Sequence, residues 1–376
     1  MEARSDRVIL HVGTMKSGTS YLQKLIFAEK ERLAASGVLV PGAAWGHQSR
    51  AIQQAIGVAD KRRQGWERML ASIAAHPGPS IISMEFLGPA KPKRDARIVR
   101  ELGGDVDVVF TVRDLNRTLV SMWQETVQNG RTWSWEEYHA AVAAEAPGRG
   151  EGVHDRGSAA GSFWRQQNVV RLVDEWASVV GIDRISLVTV PQPGADRSEL
   201  ARRFGEATGI DFGSDPVVRS ANESLGLASI LALRRLNEVL GDDGVTSKAS
   251  FRLRKRFLAK TVLAARRGEE PSLGLPVEEW VVTQTRETVA SLRDTGVRLI
   301  GDWSDLDPVA VAGVRPAGGG GGDRCPCGSD QRAGEARQAR GLRGVGGVRV
   351  AVRPAADRRR QPSFWKQIGS RGSVRA

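Results

Sequence analysis

Five short apolar runs are spaced along the chain and are typical of buried strands. They are RVILHV at 7–12, SIISM at 80–84, VDVVFTV at 106–112, RISLVTV at 184–190 and VRLIGDW at 297–303. These runs lack the polar alternation of a half-exposed strand and are separated by helical patterns, which favours a parallel sheet covered on both faces. The predicted fold is therefore α/β, with three layers.

Amphipathic stretches fill the intervals between these runs. The stretch at 20–37 has apolar residues at helical spacing and ends on Gly37, a residue suited to a helix C-terminus. Further helices are predicted at 118–128, 135–146 and 163–181. The chain after the fourth strand run is mostly helical, with stretches at 197–209, 223–241, 250–267 and 278–296. The expected architecture is a central parallel sheet flanked by helices, plus a helical C-terminal part.

The positive charge of the chain is concentrated at its C-terminal end. The chain carries a formal net charge of +12, but residues 313–376 hold 14 arginines and lysines against four acidic residues. Residues 1–312 are therefore nearly neutral, and we expect them to form one enzyme-sized domain. There is no run of about 18 apolar residues and no signal-peptide pattern, so the expected location is the cytoplasm.

A polar, Gly-rich loop at 146–162 is long enough to form a flap over a site.

Residues 313–376 are rich in Gly, Arg, Ala and Pro, with five consecutive glycines at 318–322. Such a segment buries too little apolar surface to offset its ordering entropy, which predicts disorder. Three origins stay open: a nucleic-acid-binding arm, a solvated tail, and an out-of-frame product of a GC-rich gene. Cys325 and Cys327 form a lone C-P-C without a second pair or a nearby histidine, so no metal site is predicted.

A Gly-rich turn connects the first strand run to the first helix. Gly13 and Gly18 have the separation of the nucleotide-binding G-x-x-x-x-G-K-[ST] loop, but Thr19 stands where that loop has its lysine. The lysine of this turn, Lys16, lies between the two glycines instead. Backbone N–H groups and the positive end of a helix dipole make such a turn a site for an anion.

Two short motifs each lie where a predicted strand meets a predicted helix. KSGTS at 16–20 lies between strand and helix, and Arg113 ends the third strand run with Ser121 eight residues later. Together they resemble the sulfotransferase family of bacterial type, with its Lys-Ser-Gly-Thr-[Ser/Thr] loop and its Arg and Ser that bind the donor's 3′-phosphate. The resemblance spans about residues 7–305 and implies a P-loop-like fold with 3′-phosphoadenosine 5′-phosphosulfate as co-substrate. The residues implied to hold this donor are Lys16, Ser17, Gly18, Thr19, Ser20, Arg113 and Ser121.

The resemblance also implies roles in the transfer. Lys16 is expected to stabilise the leaving 5′-phosphate, while a base takes the proton of the acceptor hydroxyl. Glu85, directly after the second strand run, is the predicted base, because one branch of the family uses Glu in this region. His47, interpreted as a loop residue after another strand, is the runner-up. Tyr21 stands where relatives place a ring under the adenine, or it is the first core residue of its helix. No metal is implied.

Simpler interpretations of the same residues stay open. Arg113 could simply form an ion pair with Asp114 or Glu125 and bind no ligand. In the functional interpretation, the hydroxyls of Ser17, Thr19 and Ser20 are expected to surround the anion. Glu85 could form a salt bridge with one of three basic neighbours, Lys91, Lys93 or Arg94.

Two other functions are weighed against sulfuryl transfer. A P-loop kinase or nucleoside triphosphatase shares the fold and could hold magnesium with Asp114, but it requires a lysine directly after Gly18. A nucleic-acid-binding protein acting through the basic tail is opposed by the nearly neutral body, so no nucleic-acid partner is expected. The acceptor, a small molecule, lipid or carbohydrate, is not encoded in any motif.

Overall fold

Five strands form one sheet in which all neighbouring pairs run parallel. The computed structural model describes residues 7–58, 62–103, 105–147, 157–196, 198–213 and 224–316. Within these residues the strands are β1 (Val8–His11), β2 (Ser80–Ser83), β3 (Val106–Val112), β4 (Ile185–Thr189) and β5 (Arg298–Ile300). Each strand lies inside one of the predicted apolar runs, so the predicted parallel α/β fold is confirmed.

The order of the strands across the sheet is β2-β1-β3-β4-β5. β1 lies between β2 and β3, and its Leu10 opposes Ile82 on one side and Val108 on the other. The chain thus goes from β1 to β2 on one side and returns to the other side of β1 for β3. In open α/β sheets, ligands bind at the carboxyl ends of strands where the connections diverge in this way. The turn after β1 and the residue after β3 both lie at this edge.

Apolar side chains cover both faces of the sheet, because consecutive strand residues point to opposite sides. Leu10 of β1 belongs to a buried cluster with Ile98 and Trp176 on one face. Its neighbour Ile9 belongs to a second cluster with Leu22 and Phe204 on the other face. The sheet is therefore the middle layer of three.

Helices form the outer layers and a further helical region, whose core contains Trp123, Tyr138, Phe163 and Ile230. Among the residues described, no helix is both long and apolar enough to cross a membrane. A π-helix covers Arg252–Leu263. The α-helices are α1 (Thr19–Ala28), α2 (Lys30–Ala35), α3 (Trp45–Ala55), α4 (Gln64–Ala74), α5 (Pro92–Leu102), α6 (Leu115–Gln128), α7 (Trp135–Ala144), α8 (Ala159–Gln167), α9 (Val169–Val180), α10 (Glu199–Thr208), α11 (Leu227–Thr246), α12 (Lys248–Phe251) and α13 (Glu279–Asp294).

Two of the predicted helices are each divided in the structure. The stretch at 20–37 becomes α1 and α2, with Glu29 between them. The stretch at 163–181 becomes α8 and α9, because the side chain of Asn168 accepts a hydrogen bond from the Arg171 N–H at 3.1 Å and caps α9. The helix prediction rests on the spacing of apolar residues, which takes no account of the preference of Asn for a helix N-terminus, and it therefore misses this break.

The interpretation of His47 as a loop residue following a strand is wrong. Before it, Leu39 forms only a one-residue bridge with Ser80 of β2. His47 itself lies in the first turn of α3, where its side chain is exposed. Its Nδ1 accepts a hydrogen bond from the Ala43 N–H at 3.2 Å.

Two predicted segments fall largely outside the described residues. In the predicted flap at 146–162, residues 148–156 are outside, and α8 already begins at Ala159. In the predicted tail, residues 317–376 are outside, so its disorder and the boundary near residue 312 stay predictions. The described chain continues to residue 316, and the backbones of Val311 and Val314 hydrogen-bond to residues 272–275.

Asp95 of α5 is a buried carboxyl group without a partner. Its side chain is 0% exposed, and neither carboxylate oxygen has a hydrogen-bond partner among the described residues. Burial, and secondarily the negative charge of Glu175, raise the pKa of Asp95 to about 8. Because the folded state then binds this proton more tightly than the unfolded state, the stability of the protein falls as pH rises from about 4 to about 8.

Replacing Asp95 by Asn should therefore stabilise the protein, and the gain should grow with pH. Because Asn cannot ionise, Asp95→Asn removes the cost of burying a carboxylate charge, and we expect it to raise the free energy of unfolding by about 1–3 kcal/mol at pH 9 and by less at pH 5, where the carboxyl group is protonated. Denaturant titrations at the two pH values measure this. Exposed Asp183→Asn is the control, and an equal effect of Asp95→Asn at both pH values would contradict the assignment.

Candidate functional site

The turn after β1 has a backbone that favours glycine. Gly13 and Gly18 have φ of +41° and +83°, and Lys16 also has a positive φ of +68°. A Cβ at Gly13 would lie 2.4 Å from Cγ2 of Thr19, and one at Gly18 would lie 2.5 Å from Cδ2 of Leu200. Gly18 precedes α1, and no side chain caps this helix. The Tyr21 N–H donates to the Gly18 carbonyl oxygen at 3.0 Å, so the N–H groups of Thr19 and Ser20 are those that the first turn offers to an anion.

A buried chain of hydrogen bonds supports this turn from below. Ser17 Oγ donates to the carbonyl oxygen of Thr14 at 2.6 Å and lies 2.7 Å from Thr111 Oγ1. On the far side of Thr111, His11 lies between this hydroxyl and Ser83 Oγ, at 3.3 and 2.7 Å. The Ser17 hydroxyl thus points into the protein, in place of the predicted contact with the anion. Only its backbone N–H stays a candidate donor.

His11 lies in the core, as the strand pattern predicts. It is 1% exposed, and burial lowers its pKa to about 3. The imidazole is therefore neutral at physiological pH, with one ring nitrogen as donor and the other as acceptor. A neutral ring can join β1 to both neighbouring strands through Ser83 and Thr111 without introducing a charge.

Arg113 and Ser121, which the resemblance implies as two ligands of one phosphate, are in direct contact with each other. Arg113 follows β3, and its Nη2 donates to Ser121 Oγ on α6 at 2.9 Å. Its Nε is buried without a hydrogen-bond partner, and burial lowers the pKa of Arg113 to about 10. Among the described residues Arg113 forms no ion pair with Asp114 or Glu125, which was the simpler interpretation.

Asp114, the next residue, has a structural role at the start of α6. Its carboxylate accepts a hydrogen bond from the Arg117 N–H at 2.9 Å and also binds the Arg117 guanidinium. It therefore serves as an N-cap, the position where an acidic side chain both accepts an orphan N–H and complements the helix dipole.

Lys16 is held by a carboxylate that the sequence reasoning did not assign to it. Its Nζ lies 2.9 Å from Glu125 Oε2 on α6, and Lys255 Nζ from the π-helix lies 2.5 Å from the other oxygen. Asn129 joins the group, donating to Glu125 and accepting from Lys255. Burial alone would raise the pKa of Glu125, but Lys16 and Lys255 outweigh it and hold that pKa well below its usual range. We call Lys16, Glu125 and Lys255 the ion cluster.

One sequence signal could have located Glu125. Ser121 and Glu125 are four residues apart on α6 and thus share a helix face, so a site containing Ser121 also faces Glu125. Lys255 is 130 residues further along the chain, and no motif marks it. It is brought to the site only by the tertiary fold.

Glu85 lies in the turn that follows β2. Its carboxylate accepts a hydrogen bond from Gln23 Nε2 of α1 at 2.6 Å. Gly88 in the same segment packs against the turn after β1, since a Cβ there would lie 3.0 Å from the carbonyl oxygen of Gly13. The fold therefore brings Glu85 beside the Gly-rich turn. Ion pairs of Glu85 with its basic neighbours are absent within the described residues.

Tyr21 lies on the first turn of α1 and is half-buried against the cluster that contains Ile9. Burial first, and then the negative charge of Asp196, raise the pKa of its hydroxyl. This position is compatible with both of its predicted roles.

Across the described part of the chain, no group of three His, Cys, Asp or Glu side chains converges as a metal site requires.

Comparisons with known proteins give one distant likeness. No protein-family model matches the sequence, and no curated protein matches it. Among solved structures, the chain is similar to a sulfotransferase from Alicyclobacillus acidocaldarius, with 14% sequence identity and a TM-score of 0.37. The likeness covers 70% of this chain and 100% of that one. A likeness this distant does not assign a function, which has to be judged from the geometry of the site.

Removing the charge of Glu125 should destabilise the protein. Glu125→Gln leaves two ammonium groups facing each other without their counter-charge, so we expect the free energy of unfolding to fall by about 2 kcal/mol at pH 7. Because the folded-state pKa of Glu125 is depressed, its contribution is present above the unfolded pKa and is lost as pH falls.

Denaturant titrations from pH 7 down to pH 3 test this. The difference between Glu125→Gln and the native protein should shrink below about pH 4. The exposed Glu136→Gln is the matched control. Unchanged stability of Glu125→Gln at pH 7 would show that the ion cluster makes no net contribution.

Proposed function

We propose that the protein is a sulfotransferase that moves a sulfuryl group from 3′-phosphoadenosine 5′-phosphosulfate to a hydroxyl or amine of an acceptor. The observation that carries this proposal is a convergence at one edge of the sheet. There an uncapped helix N-terminus and a lysine in the preceding turn follow β1, while Arg113 follows β3 and contacts Ser121 of α6.

The residues present suit the two anionic ends of this donor. The turn before α1 offers backbone N–H groups for the phosphosulfate, and these include the N–H groups of Gly18, Thr19 and Ser20. Arg113 offers a planar fork of donors for the 3′-phosphate, and its Nε is buried with no protein partner. Ser121 already contacts this guanidinium and supplies a hydroxyl to the same anion.

Sulfuryl transfer is an in-line displacement. The acceptor oxygen forms a bond to sulfur as the bond from sulfur to the 5′-phosphate oxygen breaks, and negative charge collects on that phosphate. The ammonium group of Lys16, in the turn before α1, stabilises this negative charge on the leaving phosphate. In the free protein Glu125 neutralises Lys16, so donor binding has to compete with the contact of 2.9 Å between them. Lys255 still neutralises Glu125 when Lys16 turns to the donor.

Glu85 is proposed as the base that takes the proton from the acceptor hydroxyl. The hydrogen bond from Gln23 fixes one of its oxygens beside the turn, and within the described residues no hydrogen bond engages the other oxygen, which can accept the proton. His47 stays the runner-up, although its exposed ring on α3 has no observed contact with the turn. Tyr21 stays a candidate for stacking on the adenine.

The geometry gives less support to a kinase or nucleoside triphosphatase. Such an enzyme requires a lysine after Gly18, where this chain has Thr19, and an acid free to hold magnesium. The acid available after β3 is Asp114, and its carboxylate is already bound to Arg117 and to the first turn of α6.

Arg113 should determine affinity for the 3′-phosphate. We expect Arg113→Ala to weaken binding of adenosine 3′,5′-bisphosphate by about 30- to 100-fold, because a charge-assisted contact is lost. Binding of adenosine 5′-monophosphate should hardly change. Calorimetric titration measures both ligands, with the exposed Arg202→Ala as the control. Equal losses for the two nucleotides would remove Arg113 from the 3′-phosphate site.

Glu85 should matter for turnover and not for donor binding. We expect Glu85→Gln to lower the transfer rate by about 10²- to 10⁴-fold, the range for loss of a general base. A screen of phenol, carbohydrate and glycolipid acceptors with sulfur-labelled donor identifies a substrate, on which the rates of Glu85→Gln and His47→Gln are compared. Full activity of Glu85→Gln with loss in His47→Gln would assign the base to His47.

A further inference from the structure

The exposed large apolar side chains of the described residues are concentrated in one part of the chain. Six of the eight lie between residues 239 and 262, and Leu253 and Phe257 are 61% and 56% exposed. The other two, Val277 and Val314, lie outside this part. Single exposed apolar residues are ordinary on protein surfaces, but a cluster marks a surface that contacts another apolar phase.

The π-helix arranges these side chains into a stripe. Its i→i+5 hydrogen bonds give about four to five residues per turn, so Leu253, Phe257 and Val262 recur on one side. A basic stripe made of Arg252, Arg256 and Lys260 runs beside it, and all three are exposed. The inner side of the same helix holds Arg254 and Ala259, which are buried.

The charge of this segment is of one sign. Eight lysines and arginines, and no acidic residue, lie between Asp243 and Glu269. Two of them act inside the protein, because Lys255 binds Glu125 and Arg254 binds Asn237. The three residues of the basic stripe form no ion pair with any described residue. Arg266 forms ion pairs with Glu269 and Glu270. Lys260 lies within electrostatic range of Glu125, and burial, followed by the charge of Lys255, lowers its pKa. The uncompensated positive charge next to the exposed apolar surface is therefore carried mainly by Arg252 and Arg256.

We propose that this side of the π-helix docks on the surface of an anionic lipid bilayer. Apolar side chains enter the boundary between headgroups and acyl chains, while the flanking basic groups remain at the level of the lipid phosphates. We call it the lipid-facing side, and it is formed by Arg252, Leu253, Arg256, Phe257, Lys260 and Val262.

Charge and apolar character together favour this partner over others. The C-terminal residues 313–376 are themselves strongly basic, so charge complementarity does not favour them as the occupant of this surface. A nucleic acid matches the charge but gives no contact to the stripe of Leu253, Phe257 and Val262. The proposal is independent of the sulfotransferase assignment, although Lys255 places the same helix beside the ion cluster.

Vesicle co-sedimentation of the full chain tests the proposal. The vesicles contain phosphatidylcholine alone or mixed with phosphatidylglycerol, and the native protein should bind only the mixed ones. The triple variant Arg252→Gln/Arg256→Gln/Lys260→Gln should lower the partition coefficient on the order of 100-fold at low salt. The matched control Arg50→Gln/Arg68→Gln/Arg100→Gln removes the same charge from exposed positions on α3, α4 and α5 and should bind as the native protein does.

A second pair of variants separates lipid insertion from simple charge attraction. Leu253→Ser/Phe257→Ser keeps every charge and should still lower vesicle binding at least tenfold, because two large apolar side chains no longer enter the boundary between headgroups and acyl chains. Val277→Ser/Val314→Ser is its control and should have no effect. Native vesicle binding by Leu253→Ser/Phe257→Ser, or equal losses in both triple variants, would overturn the proposal. Binding to single-stranded RNA that depends on the same three basic residues, without vesicle binding, would assign the surface to nucleic acid instead.

Discussion

The position of β1 between β2 and β3 is the constraint on which the candidate site depends. Because all strands run parallel, their carboxyl ends meet at one edge, and the turn after β1 lies beside the residue after β3. Glu85 reaches the same edge from β2 on the other side. Segments that are about 100 residues apart in sequence are thus brought together by strand order alone, before any side chain of the site makes a contact.

The two cations of the candidate site, Arg113 and Lys16, differ in whether a carboxylate neutralises them. Among the described residues the Arg113 side chain hydrogen-bonds only to the Ser121 hydroxyl and keeps a buried Nε without a partner, so its guanidinium is the group that we propose for the 3′-phosphate. Lys16 is neutralised by Glu125, which is in turn shared with Lys255. A shared carboxylate lets one lysine leave without stranding a buried charge, which is the expensive outcome when a buried ion pair is simply broken.

The parts that the sequence predicts are those that local pattern determines. All five strands were predictable because each is a continuous apolar run. Arg113 and Ser121 were identified by resemblance as two ligands of one phosphate, and they contact each other because both lie at the junction of one strand and one helix. The ion cluster was not predictable, since its members are 109 and 130 residues apart and no motif links them. The Ser17 hydroxyl was assigned to the anion, yet it points inward, because the orientation of a loop side chain depends on buried partners such as Thr111 that lie on another strand.

We propose that this edge of the sheet binds a nucleotide with a 3′-phosphate and a short 5′-anion, and not a magnesium-bound triphosphate. Calorimetric titration of the native protein with adenosine 3′,5′-bisphosphate, and separately with ATP and magnesium, tests it most directly. The structure predicts saturable one-site binding of the bisphosphate and far weaker binding of ATP. Tight binding of magnesium-ATP with no binding of the bisphosphate would rule out the sulfotransferase assignment.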